Sequence, residues 1–331
     1  MQFGQLRRRE FIILLGGAAA AWPLAARAQQ PAQVSRIGVL RLGPASAFAG
    51  RLEALRAGLR QLGYVEGKDI VFELRWAETV EQLPQLAAEL VRMNVDVIFA
   101  TGSVEVEPTR QATKTIPIVF ATHADPVGVG HVASLARPGG NITGLTIIQT
   151  DLAAKQLEIL IEAVPQAKRI GVLFNPPTLW HRTALQAVET AGEKLGVQLV
   201  MVPVRTVEDF EGAFSTMSRE HVAGFFVVLS PVDVSHRARL ANLALKHRLP
   251  GMFGTKENVE AGGLMSYSAD FNDMVQRAAT YIDKILKGAK PADLPVEQAS
   301  KYELVINLKT AKAIGLTISE AFLLRADMLI E

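Results

Sequence analysis

The chain has 331 residues, of which 49% are hydrophobic and 21% are charged. This balance excludes an intrinsically disordered protein, and the length exceeds the size at which one hydrophobic core usually stops growing, so two lobes are expected. There is no cysteine, which excludes disulfides, thiolate chemistry and a lipid-modified cysteine.

The first residues have the pattern of an export signal. Three arginines, Arg7 to Arg9, precede an apolar run that ends at Ala21, and Ala26-Arg27-Ala28 offers the small residues of a cleavage site. The run has roughly half of the ~20 residues that a transmembrane helix needs. We therefore predict that residues 1–28 are a signal peptide, cleaved after about Ala28, and that the protein is periplasmic. The twin-arginine route and ordinary secretion both fit.

Much of the basic character of the chain belongs to this predicted signal. Its removal takes away four arginines and one glutamate, so the formal charge falls from +2 to −1. The electrostatic argument for a nucleic-acid partner disappears with it, and no such partner is predicted.

Two parts of the chain repeat each other at a displacement of 133 residues. The pentapeptide Arg-Ile-Gly-Val-Leu occurs at 36–40 and again at 169–173. At the same displacement, Leu62-Gly63, Pro117, Phe120 and Thr122 return as Leu195-Gly196, Pro250, Phe253 and Thr255. A constant displacement across separate landmarks predicts the internal duplication of one αβ unit.

In the first copy, apolar runs alternate with helical patterns. Residues 36–40 and 95–100 are continuous apolar runs, typical of central parallel strands, and four leucines from Leu52 to Leu62 recur at helical spacing. Further along, the sequence predicts a strand, a polar loop, a short helix at 127–136 stopped by Pro138-Gly139-Gly140, and another strand.

The second copy predicts the same plan, with strands at 169–174, 197–202, 224–229 and 249–253. A helix at 272–287 should return to pack on the first lobe, and a strand at 302–308 should lead back to the second. This alternation predicts an α/β fold with two doubly wound parallel-sheet lobes joined by a multi-crossing hinge. The predicted N-terminal lobe comprises 36–145 plus 268–298, and the predicted C-terminal lobe comprises 146–267 plus 299–331.

Open α/β sheets bind ligands beyond the carboxyl ends of their strands, where the strand order reverses. In both copies, neutral hydrogen-bonding residues occupy the loops at these ends and precede helices, whose N-termini favour anions. The predicted ligand-binding residues are Ser46, Thr101, Ser103, Thr122, Asp125, Asn175, Ser230, Asp233 and Tyr267. Such residues are also ordinary helix caps, and Asp125 could equally cap the segment that begins at Val127. The aromatic residues Phe48, Trp180, Phe253 and Tyr267 could pack on an apolar ligand or simply in the core.

Sequence patterns for catalysis and metal binding are absent. The six histidines show no H-E-x-x-H or similar ligand spacing, and the chain has neither a G-x-S-x-G elbow nor a P-loop. Residues 128–133 match a G-x-G-x-x-A fingerprint, but a polar loop separates them from the preceding strand. We therefore predict no catalytic residue, no metal and no cofactor.

Several motifs resemble those of a known family. They are Asp125-Pro126-Val127, the run from Ser134 to Gly144, Gly262 to Tyr267, and Ile285 to Gly288. From about Arg36 to its C-terminus the chain is similar to the ABC transporter substrate-binding family that includes tryptophan/tyrosine-type binding proteins. The resemblance implies a type I periplasmic-binding-protein fold and a small ligand between the lobes, and it carries ligand-binding roles onto Asp125 and Tyr267.

These observations predict a periplasmic solute-binding component of an ABC importer, without enzymatic activity. It would trap a small ligand, an amino acid or a related compound, and deliver it to an inner-membrane permease with its ATPase. A monomer is the default state. Two alternatives stay open: an effector-binding sensor of the same fold, and an exported α/β enzyme that uses Asp125 or Asp233.

Overall fold

The computed structural model describes residues 34–331, so the predicted signal at 1–28 lies outside the described residues. Its strands are β1 (Ser35–Leu42), β2 (Ile70–Ala77), β3 (Val97–Ala100), β4 (Ile118–His123), β5 (Ile142–Thr146), β6 (Arg169–Phe174), β7 (Gln198–Pro203), β8 (Gly224–Val227), β9 (Gly251–Phe253), β10 (Met265–Ala269), β11 (Glu297–Gln298), β12 (Tyr302–Asn307) and β13 (Met328–Ile330). Its helices are α1 (Ala45–Gln61), α2 (Leu83–Arg92), α3 (Ser103–Ala112), α4 (Gln149–Ala163), α5 (His181–Leu195), α6 (Asp209–Arg219), α7 (Pro231–Ser235), α8 (Arg237–Lys246), α9 (Lys256–Glu260), α10 (Phe271–Leu286), α11 (Leu308–Ile314) and α12 (Glu320–Leu323). None of these helices has both the length and the apolar character needed to cross a bilayer.

Two separate sheets form the centres of two lobes. The sheet of the first lobe has six parallel strands in the order β11-β5-β4-β3-β1-β2. The sheet of the second lobe has seven strands in the order β13-β12-β10-β9-β8-β6-β7, in which β10 and β12 are antiparallel and the other pairs are parallel. Helices cover both faces of such sheets, so the central strands are apolar throughout, as in β3, where all four residues are buried.

The five strands that the lobes have in common follow one order, β2-β1-β3-β4-β5 in the first and β7-β6-β8-β9-β10 in the second. The repeated pentapeptides lie in β1 and β6, and the repeated Leu-Gly pairs follow or end α1 and α5. Gly63 and Gly196 both have a left-handed backbone, with φ of +93° and +67°, which a residue without Cβ adopts easily after a helix. The predicted fold class, two doubly wound lobes, is confirmed.

Helix α10 packs on the first lobe although it follows β10 of the second. Its residues Met274, Ala278 and Ile282 lie in the same buried core as Ile37 and Phe99. The helix predicted at 272–287 is therefore present and lies where it was expected. Within residues 34–331 the chain crosses between the lobes three times, after β5, after β10 and after β11. Several crossings of this kind form a hinge about which two lobes can close.

The short helix predicted at 127–136 is wrong, because residues 126–136 form turns. The Asp125 Oδ1 atom accepts the backbone N–H of Gly128 at 2.8 Å, and Gly130 has a left-handed φ of +72°. A Cβ on residue 128 would lie 2.0 Å from Asp125 Oδ2, so any larger residue would displace this carboxylate. The Asp125 side chain closes a tight turn, and this local bonding competes with a helix.

Candidate functional site

A cavity of about 100 Å³ lies between the lobes at the carboxyl ends of the parallel strands. The first lobe contributes the ends of β1, β4 and β5 and the starts of α3 and α10, and the second contributes the residue before α5 and the turn from β8 to α7. A wider opening of about 740 Å³ shares Arg41, Arg51 and Val234 with this cavity. The strand order reverses beside β1 and beside β6, so the cavity lies where α/β sheets bind ligands.

Buried Glu105 holds Arg41 at the wall of the cavity. The Glu105 side chain is 1% exposed, and its Oε1 accepts Arg41 Nη1 at 2.8 Å and the Leu42 N–H at 3.0 Å. Its Oε2 accepts the Gly102 N–H at 3.1 Å. One carboxylate therefore joins the end of β1 to the first turn of α3, where a negative charge is favoured. The ion pair occupies Nη1 of Arg41, and a guanidinium has further N–H donors to offer a ligand.

Arg51 joins the two lobes across the same cavity. It projects from α1 and donates from Nη2 to Glu257 Oε1 of α9 at 2.8 Å, while its guanidinium lies 4.9 Å from the centre of the Phe271 ring. Burial lowers the pKa of Arg51 from its usual value, and Glu257 opposes that effect. A second contact across the cleft is the hydrogen bond from Thr183 Oγ1 to Asp125 Oδ2 at 3.3 Å. The lobes are therefore closed over the cavity.

The rest of the wall combines apolar surface with hydroxyl groups. Ile147, Leu229 and Phe271 supply apolar surface. Trp180 also lines the cavity, and its buried Nε1–H has no hydrogen-bond partner within the described part of the chain. A buried donor without a partner is costly, so a ligand acceptor that paired with it would gain affinity. With two cations and this indole, the cavity can bind an anionic group attached to an apolar body.

Three of the predicted ligand-binding residues, Ser103, Thr122 and Ser230, line the cavity. Ser46 lies on the wider opening and is exposed. Ser46, Ser103 and Ser230 follow β1, β3 and β8, and Thr122 lies at the end of β4, so the four residues come from both copies of the duplicated unit.

The other five predicted residues line neither space. Thr101 is buried behind Thr122, whose hydroxyl donates to the Thr101 carbonyl at 3.1 Å. Asp125 binds Gly128 and Thr183, as described above. Tyr267 stacks on Tyr302 in the second sheet, with ring centres 5.7 Å apart.

Asn175 and Asp233 lie deeper in the second lobe, beside a small void of about 10 Å³. The Asn175 side-chain amide donates to the Arg205 carbonyl at 3.1 Å, and Asp233 Oδ1 accepts the Ser230 N–H at 2.6 Å. The Asp233 side chain therefore caps its own loop, whereas Asn175 joins its loop to the one that follows β7.

The sequence-based prediction did not include Arg41, Arg51, Glu105, Trp180 or Phe271 as ligand-binding residues. Arg41 lies inside β1, near its end, so a search of the loops that follow the strands did not include it. Arg51 and Phe271 lie on helices, where no strand-end rule applies. Trp180, noted only as a residue that could pack on a ligand, immediately precedes α5.

Burial raises the pKa of Asp233 to about 7, against hydrogen bonds from Ser230 that lower it. The folded protein therefore holds a proton here that the unfolded chain has released, and stability should fall as pH rises from about 4 to 7. Asp233→Asn cannot titrate. Its free energy of unfolding relative to the native sequence should therefore rise over that range, by on the order of 4 kcal/mol at most. Urea denaturation at pH 4.5 and pH 8 measures the difference.

Asp209→Asn is the matched control, since this exposed carboxylate accepts the Arg205 and Thr206 N–H groups, which lower its pKa. The Asp209→Asn replacement should lower the free energy of unfolding at pH 8 and lower it less in acid. This is the opposite of the trend expected for Asp233→Asn. Parallel pH profiles for the native protein and Asp233→Asn would contradict the assignment at Asp233.

Residues 37–330 match the family model described as ABC transporter substrate binding protein. The chain belongs to this family. Within residues 34–331, no three His, Cys, Asp or Glu side chains are grouped so that they could hold a metal ion.

Relatives of known structure or ligand agree with this membership. The chain is 27% identical over 263 residues to a tyrosine-binding protein of Clostridioides difficile, covering 78% of this chain and 74% of that protein. A Streptococcus pneumoniae ABC domain in complex with L-Trp superposes with a TM-score of 0.84 at 26% identity, and a conserved domain protein of Vibrio cholerae does so with 0.84 at 28%. Each covers 90% of this chain and 100% of its own. The fold is that of type I periplasmic binding proteins.

Proposed function

We propose that this chain is the periplasmic solute-binding component of an ABC importer. Its lobes would close on a small ligand that carries a carboxylate, an amino acid or a related compound, and pass it to a permease. The observation that carries this proposal is the cavity between the lobes, at whose wall both Arg41 and Arg51 lie. The tyrosine-binding relative and the neighbour with bound L-Trp support an amino-acid ligand.

In this proposal, ligand binding is coupled to the movement of the lobes. The moving bodies would be residues 36–145 with 268–298 and residues 146–267 with 299–331. Arg51 contacts both the cavity and Glu257 of the opposite lobe, so a ligand on Arg51 would favour the closed state. The extent of closure is limited by the difference in ligand affinity between the closed and open states. A permease would recognise the closed form.

The ligand-contacting residues in this proposal are those at the cavity wall. Arg41, Arg51 and Trp180 would donate to the carboxylate, and Phe271 with Leu229 would contact the apolar part. Export through the N-terminal signal would place the protein, as a monomer, in the same compartment as the permease's binding face.

The proposal is tested by thermal and urea unfolding of residues 29–331 with each of the twenty amino acids and with uncharged sugars as controls. A true ligand at one hundred times its Kd should raise the free energy of unfolding by about 2.7 kcal/mol. The import role is tested separately, because cells that lack the gene should take up less of the labelled ligand. Stabilisation by sugars alone, or by no carboxylate in the panel, would contradict the proposal.

A further inference from the structure

A chain of buried hydrogen bonds runs from the cavity toward the surface of the first lobe. The Ser103 hydroxyl lies 3.2 Å from His123 Nδ1, His123 Nε2 lies 2.7 Å from His131 Nδ1, and His131 Nε2 lies 2.8 Å from Glu107 Oε2. Both histidines are buried, whereas the Glu107 side chain is 28% exposed. Only Ser103 among these four lines the cavity.

A bulge in β4 makes this arrangement possible. Phe120 pairs with Gly144 and His123 with Thr146, so β4 has one residue more than β5 between these two pairs. Such bulges redirect a side chain and often lie beside functional sites. The His123 ring turns inward, edge-on to Phe120 and to His131.

The charge on Glu107 fixes the direction of every hydrogen bond in the chain. Its carboxylate also accepts from Arg110 Nε at 3.0 Å and from Gln111 Nε2 at 2.7 Å. Although burial opposes them, these donors lower its pKa, so the group is ionised and can only accept. His131 must then donate from Nε2.

The same donor-to-acceptor direction of hydrogen bonding continues through both imidazole rings. Burial lowers the pKa of His131, and it lowers that of His123 well below the usual value, so both rings are neutral at pH 7. A neutral imidazole that donates from one nitrogen accepts at the other. His131 Nδ1 therefore accepts from His123 Nε2, and His123 Nδ1 is left as an acceptor. The Asp125 N–H, 3.1 Å from this Nδ1, agrees with that assignment.

The Ser103 hydroxyl can give its one proton to His123 Nδ1, whose single lone pair it shares with the Asp125 N–H. One of its lone pairs accepts the Ala124 N–H at 2.8 Å, so what remains for a ligand is a lone pair. Two of the other hydroxyls on the cavity wall are in the same state, because Thr122 donates to the Thr101 carbonyl and Ser230 donates to Asp233 Oδ1. The fourth hydroxyl on the wall, that of Ser235, is exposed. Ser103, Thr122 and Ser230 therefore present acceptors to the ligand.

We propose that Glu107, His131 and His123 are positioning residues that make Ser103 a hydrogen-bond acceptor, so that the site selects ligands with an N–H donor. This inference rests on the proposed function. Arg41 and Arg51 take the anionic end of the ligand, and Ser103, Thr122 and Ser230 take its amine. A ligand with a carboxylate but no amine would displace water from these lone pairs without supplying a donor, which is costly.

The test compares ligands that differ only in the amine. The probes are L-tyrosine with 3-(4-hydroxyphenyl)propionate and L-tryptophan with 3-(indol-3-yl)propionate, measured by calorimetry on residues 29–331. The native protein should bind at least one amine about 100-fold more tightly than its desamino partner, the size expected for two hydrogen bonds to a charged group. Ser103→Ala should reduce that ratio about tenfold, the size expected for one hydrogen bond to a charged group.

Glu107 gives the sharper test because it is partly exposed and does not line the cavity. Glu107→Gln still offers an acceptor to His131 and should leave the ratio unchanged. Glu107→Lys offers only donors, so the reversed direction makes His123 Nδ1 a donor, leaves the Asp125 N–H without its acceptor and frees the Ser103 proton to point at the ligand. It should therefore lower the ratio about tenfold, as Ser103→Ala does.

Ser218→Ala is the matched control, since Ser218 pairs with His247 at 3.0 Å away from the cavity. It should leave both affinities unchanged. A purely structural role for the buried chain would weaken the two ligands of a pair equally in Glu107→Lys, and that result would overturn the inference. Equal affinity of the native protein for each amine and its desamino analogue would also overturn the inference, while the proposed function would stand. Binding of neither amine would overturn the inference, while the proposed function would be decided by the panel of twenty amino acids.

Discussion

Replacement of Arg51 by methionine should weaken ligand binding by about 100-fold or more. Removal of one partner of a buried, hydrogen-bonded charge pair costs about 2–5 kcal/mol. The methionine variant would leave both the ligand carboxylate and Glu257 without this cation. The methionine keeps the apolar part of the side chain against Phe271. Calorimetric titration with the amino acid that gives the largest thermal shift measures the loss.

Two variants separate contact with the ligand from closure of the lobes. Glu257→Gln removes the charge of the partner lobe but keeps the cation at the cavity, so its Kd should rise by less than about tenfold, as for one weakened hydrogen bond. Arg60→Met is the matched control, because Arg60 lies on the same helix, pairs with Glu53 and is 60% exposed. Its affinity should equal that of the native protein. Native affinity in Arg51→Met would show that the cavity does not bind an anion through this residue.

Replacement of Gly144 by alanine should prevent folding or remove more than about 4 kcal/mol of stability, a loss that point mutations rarely exceed. Gly144 has φ of +148°, and a Cβ there would lie 1.9 Å from the Phe120 carbonyl oxygen and 2.7 Å from the Phe120 nitrogen. These are backbone atoms of the paired strand β4, so they cannot move aside without breaking the sheet.

Gly212→Ala is the opposite case and serves as its control. Gly212 lies on the exposed side of α6, and a Cβ there meets nothing within 4 Å. Since alanine is favoured over glycine inside a helix, this variant should gain up to about 1 kcal/mol. Circular dichroism and urea unfolding of both variants measure the effects. A folded Gly144→Ala protein with near-native stability would contradict the close approach of β4 and β5.

The fold was predictable because the duplication can be detected in the sequence as residues that repeat at a constant displacement. The shared pentapeptides fall in equivalent strands, and Gly63 and Gly196 follow the equivalent helices. The site was predictable only in its region. Strand-end loops were the correct places to search, but Asn175 binds the Arg205 carbonyl and Asp233 caps its own helix, and nothing in residue type distinguishes them from Ser230.

The site residues that were not predicted from the sequence depend on how separate helices, strands and lobes pack against each other. Whether Arg51 on α1 points at a ligand depends on how the second lobe closes, and Glu257 that meets it is about two hundred residues away along the chain. The direction of the Ser103 proton depends on Glu107 through two histidines, whose alignment results from a one-residue bulge between β4 and β5. Local sequence patterns do not specify contacts of this range.

The interleaving of the two lobes along the chain affects how the protein is made. The first lobe lacks α10 and β11 until the chain has been synthesised past Gln298, and by then β6 to β10 already exist. The apolar face that α10 covers, which includes Ile37 and Phe99, has no permanent cover on the ribosome before that point. Domains usually fold one after another as they emerge, N-terminal first. Here neither lobe can be completed until almost the whole polypeptide has left the ribosome.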